Sequence, residues 1–295
     1  PHANCTAPHI TRPCAMSPSA LFVSLLLLPL GGDSLMLSSP VERRAPTLFC
    51  FVVARPCTHE VETVKLQVQM GMLSGCDAFS IYSNVSAEEL LGASLAKGFN
   101  LSSTGAAVQG SMEVDRDPEY GTALNSKIFH QVWAQIFHEG VFRWHDWTVK
   151  VDPDTVFLPS RLRATLQTHT AGSFHALNQS HQLRPKAAAL GNGGSDCLGM
   201  SGAILVLSQE AVFLLQTRWH SALKGDPGRE DSMILVFMMH ICKCDEPEPR
   251  LLWDERCPRT QTVPCQERIA VHAAKSPGGM IAAHAELKSC QGRSM

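Results

Sequence analysis

The sequence predicts an α/β fold with a mostly parallel sheet flanked by helices, and three observations support it. Two short apolar segments, residues 47–54 and 78–82, enclose a segment at 59–73 whose apolar residues recur at roughly helical spacing. Such a β-α-β unit predicts parallel strands covered by helices. A second helix–strand pair follows at 123–151. The content of 44% hydrophobic and 18% charged residues in a chain of 295 allows a sizeable core.

The first 45 residues are predicted to be a leader and linker. An apolar block at residues 20–30, followed by Gly31 and Gly32, is shorter than a spanning helix of roughly 17–25 residues. With Arg12 as a positive flank it is typical of a signal peptide or signal anchor, although a buried core helix has the same composition. Four Asn-X-Ser/Thr sequons agree with a luminal protein, and they lie at Asn4, Asn84, Asn100 and Asn178.

Charge and cysteine content narrow the classes of protein. A net charge of −2 gives no reason to expect nucleic-acid binding. The 11 Cys, unless they bind metal, indicate an oxidising compartment. Together with the predicted leader, they lead us to expect the secretory pathway, in the ER or Golgi lumen. Four late cysteines could bind zinc, but their spacing fits no common pair of Cys-X-X-Cys units, so disulfides of undetermined connectivity are favoured. These are Cys242, Cys244, Cys257 and Cys265.

The remaining elements are predicted in order along the chain. The first helix closes at Gly75, and residues 85–120 are predicted to be loops with one short helix. The amphipathic helix at 123–139 has Ile128, Val132, Ile136 and Phe137 on one face and ends at Gly140. The later predictions are a strand at 173–177, a Gly-rich loop at 191–194, a strand at 203–207, a helix at 209–219 capped by Ser208, a helix at 233–242 opened by Glu230 and Asp231, and a strand at 268–275.

The chain is organised around an Asp-Pro-Asp motif at 152–154. Residues 144–151 are predicted to form a strand, and Pro153 must end it because proline has no N–H for a central ladder. Asp152 and Asp154 therefore stand at the C-terminal edge of a strand, where α/β sheets bind ligands. Two hard oxygen donors at that spacing suit Mg²⁺ or Mn²⁺ bound together with a substrate diphosphate.

Two further candidates lie downstream, and each has an ordinary structural explanation. Glu230 and Asp231 open a predicted helix, where acidic residues are favoured electrostatically without any chemistry. His272 is one of 13 His and, taken alone, is more often a surface or core residue than a ligand.

Taken together, these motifs resemble the fringe and β-1,3-galactosyltransferase type of glycosyltransferase. The resemblance spans roughly residues 47–275 and depends on four features in the same order. They are residues 150–157, the Cys-x-Gly segment at 197–208, the pair Glu230-Asp231, and Val271-His272. The chain departs from the family at Pro153, which stands where that family has the middle Asp of its metal motif. The chain is also similar to a set of uncharacterised protist proteins through residues 48–51 and 145–154.

The resemblance implies a GT-A fold, a nucleotide-diphospho-sugar donor such as a UDP-sugar, a glycan or glycoprotein acceptor, and Mn²⁺ (or Mg²⁺). It implies that Asp154 ligates the metal and that Asp152 contacts the donor ribose or supports the metal. His272 would complete the protein ligands, and Asp231 would be the catalytic base that deprotonates the acceptor hydroxyl. Attack opposite the diphosphate would invert the anomeric centre.

Two other functions remain open from the sequence. A haloacid-dehalogenase-like phosphatase also carries Asp-X-Asp-X-Thr/Val after a strand, although that strand normally lies near the start of its domain. The other function is that of a domain with the shape of a glycosyltransferase that binds sugar nucleotide or glycan without turnover. The predicted organisation is a leader at 1–45, one GT-A-like catalytic domain at 46–288 and a tail at 289–295.

Overall fold

A computed structural model describes most of the chain from residue 44 onward. The described residues are 44–101, 106–118, 123–176, 189–192, 201–219, 228, 230, 233–234, 252–254, 264–272 and 275–290. Residues from Ala45 onward form one compact unit. Nearly all of the predicted leader, the segment 196–200 and the candidate base Asp231 lie outside the described residues. So do residues 235–242 of the helix predicted at 233–242, and the cysteines at 242, 244 and 257.

The first described elements follow the predicted β-α-β order. The strands are β1 (Leu48–Val53), β2 (Ala78–Tyr82), β3 (Trp147–Val151), β4 (Thr155–Phe157), β5 (Ala189–Asn192), β6 (Ser201–Ser208), β7 (Leu252–Asp254) and β8 (Ala270–His272). The helices are α1 (Glu60–Gln69), α2 (Ala87–Leu91), α3 (Ala93–Gly98), α4 (Ser126–Glu139), α5 (Pro159–Ala176), α6 (Gln209–Thr217) and α7 (Pro277–Ser289), with a 3₁₀ turn at Val141–Trp144.

The central sheet has five strands in the order β2-β1-β3-β6-β5. β1 pairs in parallel with both β2 and β3, whereas β6 is antiparallel to β3 and β5. Four strands therefore run in one direction and β6 runs in the other. A second sheet has the order β4-β8-β7, and its strand β4 follows the Asp-Pro-Asp motif directly in the chain. The predicted α/β class, a mostly parallel sheet flanked by helices in one unit, is confirmed.

The central sheet separates two hydrophobic cores. Successive strand residues point to opposite faces, so Leu48, Cys50 and Val52 join one core while Phe49 and Phe51 join the other. The first core contains residues of α1, α5, α7 and the second sheet. The second core contains the apolar face predicted for α4 and buried residues of α6. Both faces of β1 and β3 are buried, which explains the continuous apolar character of β1.

Several local predictions agree with the structure. Gly140 ends α4 in the left-handed conformation with φ of 69°, and its N–H donates to the carbonyl of Ile136. The Ser208 side chain accepts a hydrogen bond from the N–H of Ala211 and so caps α6.

Other local predictions are wrong. Residues 173–176 belong to α5 and not to a strand, and Gly191 and Asn192 belong to β5 and not to a loop. α1 ends at Gln69, before Gly75, and Trp144 lies in the 3₁₀ turn ahead of β3.

Two disulfides lie within the described residues, Cys50–Cys76 and Cys265–Cys290. The second confirms a disulfide for one of the late cysteines. Disulfides are typical of proteins outside the cytosol. In the part of the chain that the structure describes, no helix has the length and apolar character needed to cross a membrane.

Candidate metal site

The Asp-Pro-Asp motif forms the turn between β3 and β4. The N–H of Asp152 donates to the carbonyl of Ala203 on β6 at 2.9 Å. Pro153 cannot donate, and the N–H of Thr155 turns back to the carbonyl of Asp152 at 3.1 Å. The chain then enters β4 in the second sheet. Both carboxylates consequently stand at the C-terminal edge of β3, as predicted.

Gln67 of α1 also fixes this turn through hydrogen bonds. It lies on α1, is fully buried, and its side-chain amide donates to the carbonyls of Asp152 and Thr155, each at 2.8 Å. The first carbonyl belongs to the first residue of the motif and the second to the residue just after it, so one side chain fixes both the start and the end of the turn. The sequence analysis missed this residue.

The second sheet brings His272 to the two carboxylates. β8 pairs antiparallel with β4, and His272 is opposite Thr155 in the register. The guanidinium of Arg161 on α5 supports this strand, because it donates to the carbonyls of Cys265 at 2.8 Å and Arg268 at 2.6 Å. Residue 272 thereby reaches a motif that is far away along the chain.

Asp152, Asp154 and His272 form a compact cluster. Each offers one potential ligand atom, and these atoms lie within 4.8 Å of one another. His272 Nε2 is 3.3 Å from Asp154 Oδ1, and Lys275 Nζ is 3.6 Å from Asp154 Oδ2. The side chains of Asp152, Asp154 and His272 are largely buried, whereas the side chain of Lys275 is 74% exposed. The site is therefore open to solvent on the side of Lys275.

Lys150 is a buried charged residue beside the cluster. Its side chain is 2% exposed, and its ammonium group lies 2.6 Å from Asp152 Oδ1 and 3.2 Å from Glu230 Oε2. The ammonium also lies over the ring of Phe129 on α4, 5.0 Å from its centroid. Glu230 is equally buried. Glu230 of the Glu230-Asp231 pair thus reaches the cluster through Lys150, and Asp231 lies outside the described residues.

The electrostatics of the cluster fit a divalent cation. Burial, together with the charge of Asp154, raises the pKa of Asp152, although Lys150 opposes that rise. Burial would also raise the pKa of Asp154, but the hydrogen bond and charge of His272, together with the charge of Lys275 and a backbone hydrogen bond, outweigh it, so this pKa is lowered. Two carboxylates that repel each other, with an imidazole nitrogen beside them, make a mixed oxygen and nitrogen donor set. Mn²⁺ accepts such a set, while Mg²⁺ prefers oxygen alone.

The structure thus brings together Asp152, Asp154 and His272, all singled out from the sequence, and adds Gln67 and Lys150. A signal for Lys150 was present, since it is a charged residue inside an otherwise uncharged strand whose two faces are both buried. No comparable signal marks Gln67, which is one polar residue among several on α1.

The chain matches no protein-family model and no curated protein. Similar solved structures include a glycosyltransferase involved in the glycosylation of the major capsid of PBCV-1, at 8% identity over 83% of this chain and 99% of that one, with a TM-score of 0.44. The galactosyltransferase LgtC, in complex with donor and acceptor sugar analogs, has 9% identity over 80% of this chain and 95% of that one, with a TM-score of 0.41.

A cytidylyltransferase from Leptospira borgpetersenii has 8% identity over 85% of this chain and 99% of that one, with a TM-score of 0.37. Because these identities and scores are low, the fold class follows from the strand order and register of this chain.

Proposed function

We propose that this chain is a metal-dependent, inverting glycosyltransferase of the GT-A type. It would move a sugar from a nucleotide-diphosphate donor, a UDP-sugar, to a hydroxyl group of a glycan or glycoprotein. The observation that carries the proposal is the convergence of Asp152, Asp154 and His272 within 4.8 Å at the C-terminal edge of β3. Ligands of α/β sheets bind at that edge.

The residues present have suitable chemistry for each role. Asp154 and His272 would hold Mn²⁺, and Asp152 would support the metal or contact the donor ribose. A bound Mn²⁺ supplies Lewis-acid neutralisation of the departing diphosphate. The ammonium of Lys275 stands exposed next to Asp154 and offers a second positive charge to the diphosphate. Asp231 would be the general base that accepts the proton of the acceptor hydroxyl.

The proposed setting is the lumen of the secretory pathway. The disulfides Cys50–Cys76 and Cys265–Cys290 support an oxidising compartment. The proposed catalytic domain is 46–288, and the apolar block at 20–30 would direct the chain into the ER, either cleaved or kept as an anchor.

A binding screen tests the proposal directly. UDP- and GDP-sugars are titrated with and without Mn²⁺ into the wild-type protein and into Asp154→Ala. We expect Mn²⁺-dependent binding of a UDP-sugar by the wild type and a loss of at least about tenfold in Asp154→Ala, because a metal ligand is removed while the fold is kept.

Asp115→Ala is the matched control, since Asp115 is an exposed residue in the segment ahead of α4. Binding by Asp154→Ala equal to that of the control would contradict the site assignment. Donor binding without Mn²⁺-dependent donor hydrolysis would indicate a domain that binds without turnover. Phosphate release from a phosphomonoester, with a trapped aspartyl-phosphate, would indicate a phosphatase.

A further inference from the structure

The burial of Lys150 requires an explanation, because a charged group without partners is costly in a protein interior. Its side chain is 2% exposed and lies on the face of β3 that packs on α4. Among the described residues, two carboxylates lie against its ammonium group and compensate its charge. One belongs to Asp152 of the candidate metal site at 2.6 Å, and the other belongs to Glu230 at 3.2 Å.

The two carboxylates differ in their surroundings. The side chain of Asp152 is 29% exposed and stands at the open edge of the sheet, whereas that of Glu230 is 2% exposed. Lys150 therefore connects the carboxylate of Asp152, which a ligand can reach, with the carboxylate of Glu230, which is closed off from solvent.

The backbone of Glu230 is held in place independently. Its N–H donates to the side-chain oxygen of Asn125 at 3.0 Å, and the N–H of Ser126 donates to the carbonyl of Gly228 at 3.1 Å. Asn125 is the residue that precedes α4. The segment around Glu230 is thus anchored on the start of α4 at its backbone and on Lys150 at its side chain.

From this geometry we infer that Lys150 is a positioning residue of the site. It fixes the orientation of the Asp152 carboxylate toward the metal and ties the metal site to the Glu230 segment. This inference rests on the proposed function, since the next residue along that segment, Asp231, is the proposed base. Lys150 acts through Asp152 and Glu230, without touching the metal or the substrate.

Removal of the lysine charge alone would be ambiguous. Lys150→Met adds one net negative charge beside the cluster, which attracts a cation and could mask a loss of orientation. The double variant Lys150→Met/Glu230→Gln removes one charge of each sign, so the net charge is unchanged. Replacing a buried ion pair by neutral residues of similar volume is also commonly tolerated by the fold.

Mn²⁺ binding to the whole protein is then measured by electron paramagnetic resonance at fixed ionic strength, together with the melting temperature. We expect the double variant to melt within about 5 °C of the wild type and to bind Mn²⁺ about tenfold more weakly or worse, the usual effect of losing a partner that orients a metal ligand. The same two changes in the surface pair of α1, Lys65→Met/Glu62→Gln, serve as the control and should leave Mn²⁺ binding unchanged.

Lys150→Leu/Glu230→Met also leaves the net charge unchanged and decides the question if the first double variant fails to fold. Without the ammonium, the Asp152 carboxylate loses the partner that orients it, so Mn²⁺ should bind several-fold more weakly. A purely structural role of the Lys150–Glu230 pair would leave the Mn²⁺ affinity of the folded variant unchanged.

The outcomes separate the two proposals. If the wild type binds Mn²⁺ and Asp154→Ala does not, but the Lys150 and Glu230 variants bind within about twofold of the wild type, the positioning role is overturned and the proposed function stands. If the wild type does not bind Mn²⁺, the proposed function fails and the positioning role fails with it.

Discussion

Gln67 contacts both ends of the Asp-Pro-Asp turn. Its amide donates to the carbonyls of Asp152 and Thr155 from within the core, so both ends of the motif depend on one side chain of α1. Its Oε1 is buried without a hydrogen-bond partner among the described residues, which offsets part of the stabilisation.

We expect Gln67→Met to weaken both stability and metal binding. Methionine keeps the volume of the side chain but cannot donate, so two buried hydrogen bonds are lost at a cost of about 1–2 kcal/mol in the free energy of unfolding. The turn also gains freedom, and Mn²⁺ affinity should fall. Urea denaturation and Mn²⁺ titration check the two effects.

Gln69→Met provides the control because Gln69 is an exposed residue on the same helix. Equal Mn²⁺ affinity in the Gln67 and Gln69 variants would contradict the role given to Gln67.

The residues of the site differ in how far the sequence could reveal them. Asp152 and Asp154 follow a strand in the chain, so local order alone placed them at a sheet edge. Gln67 acts through contacts with residues more than 80 positions away, and no local pattern encodes such a contact. Lys150 could have been found by asking how a charge in a buried strand is compensated.

Among the elements, α4 shows how one glycine sets the approach to the site. α4 ends at Gly140, whose φ of 69° turns the chain into the 3₁₀ turn and then into β3. Residues with a Cβ rarely adopt this conformation, so the position of β3 depends on glycine here.

Gly140→Ala should therefore destabilise the protein by about 1 kcal/mol through backbone strain. A Cβ at this position would meet only Arg143, at 3.6 Å, so steric overlap contributes little. Gly98→Ala at the end of α3 is the comparison, because its added Cβ has no atom within 4 Å and its φ is not positive. It should be neutral or stabilise by up to about 1 kcal/mol. Urea midpoints at constant m-value measure both changes, and equal midpoints would contradict the argument.

The strand predicted at 173–177 shows the limit of local patterns at the same scale. Residues 173–176 are the end of α5, which begins at Pro159. A short apolar run cannot be distinguished from part of a helix by periodicity alone, and here the helix continued through it.

For the whole molecule, the sequence predicted the α/β class and the order of most elements, but not the arrangement of the sheets. The order β2-β1-β3-β6-β5 and the reversed direction of β6 depend on pairings between distant segments. The pairing of β4 with β8 is of the same kind, and it places His272 opposite Thr155. The resemblance to a family named His272 as a ligand, while the register of the second sheet explains how it reaches the Asp pair.

The two described disulfides close loops of nearly equal length with different consequences for the site. The sequence separations are 26 residues for Cys50–Cys76 and 25 for Cys265–Cys290. The entropy of loop closure thus predicts a similar loss for Cys50→Ala/Cys76→Ala and for Cys265→Ala/Cys290→Ala, about 3 kcal/mol each. The loop 265–290 contains His272, whereas the loop 50–76 joins β1 and β2, which also pair directly with each other.

We therefore expect both double variants to lose stability but only Cys265→Ala/Cys290→Ala to lose Mn²⁺ affinity. Only there does the segment ahead of β8, which carries the proposed ligand His272, lose its covalent link to the end of α7. Arg161 still holds the carbonyls of Cys265 and Arg268, so the loss should be partial, on the order of tenfold. Chemical denaturation gives the first quantity and Mn²⁺ titration of the folded variants gives the second. Equal Mn²⁺ affinity in the two variants would show that the sheet pairing alone fixes His272, and the disulfide would then have no part in shaping the metal site.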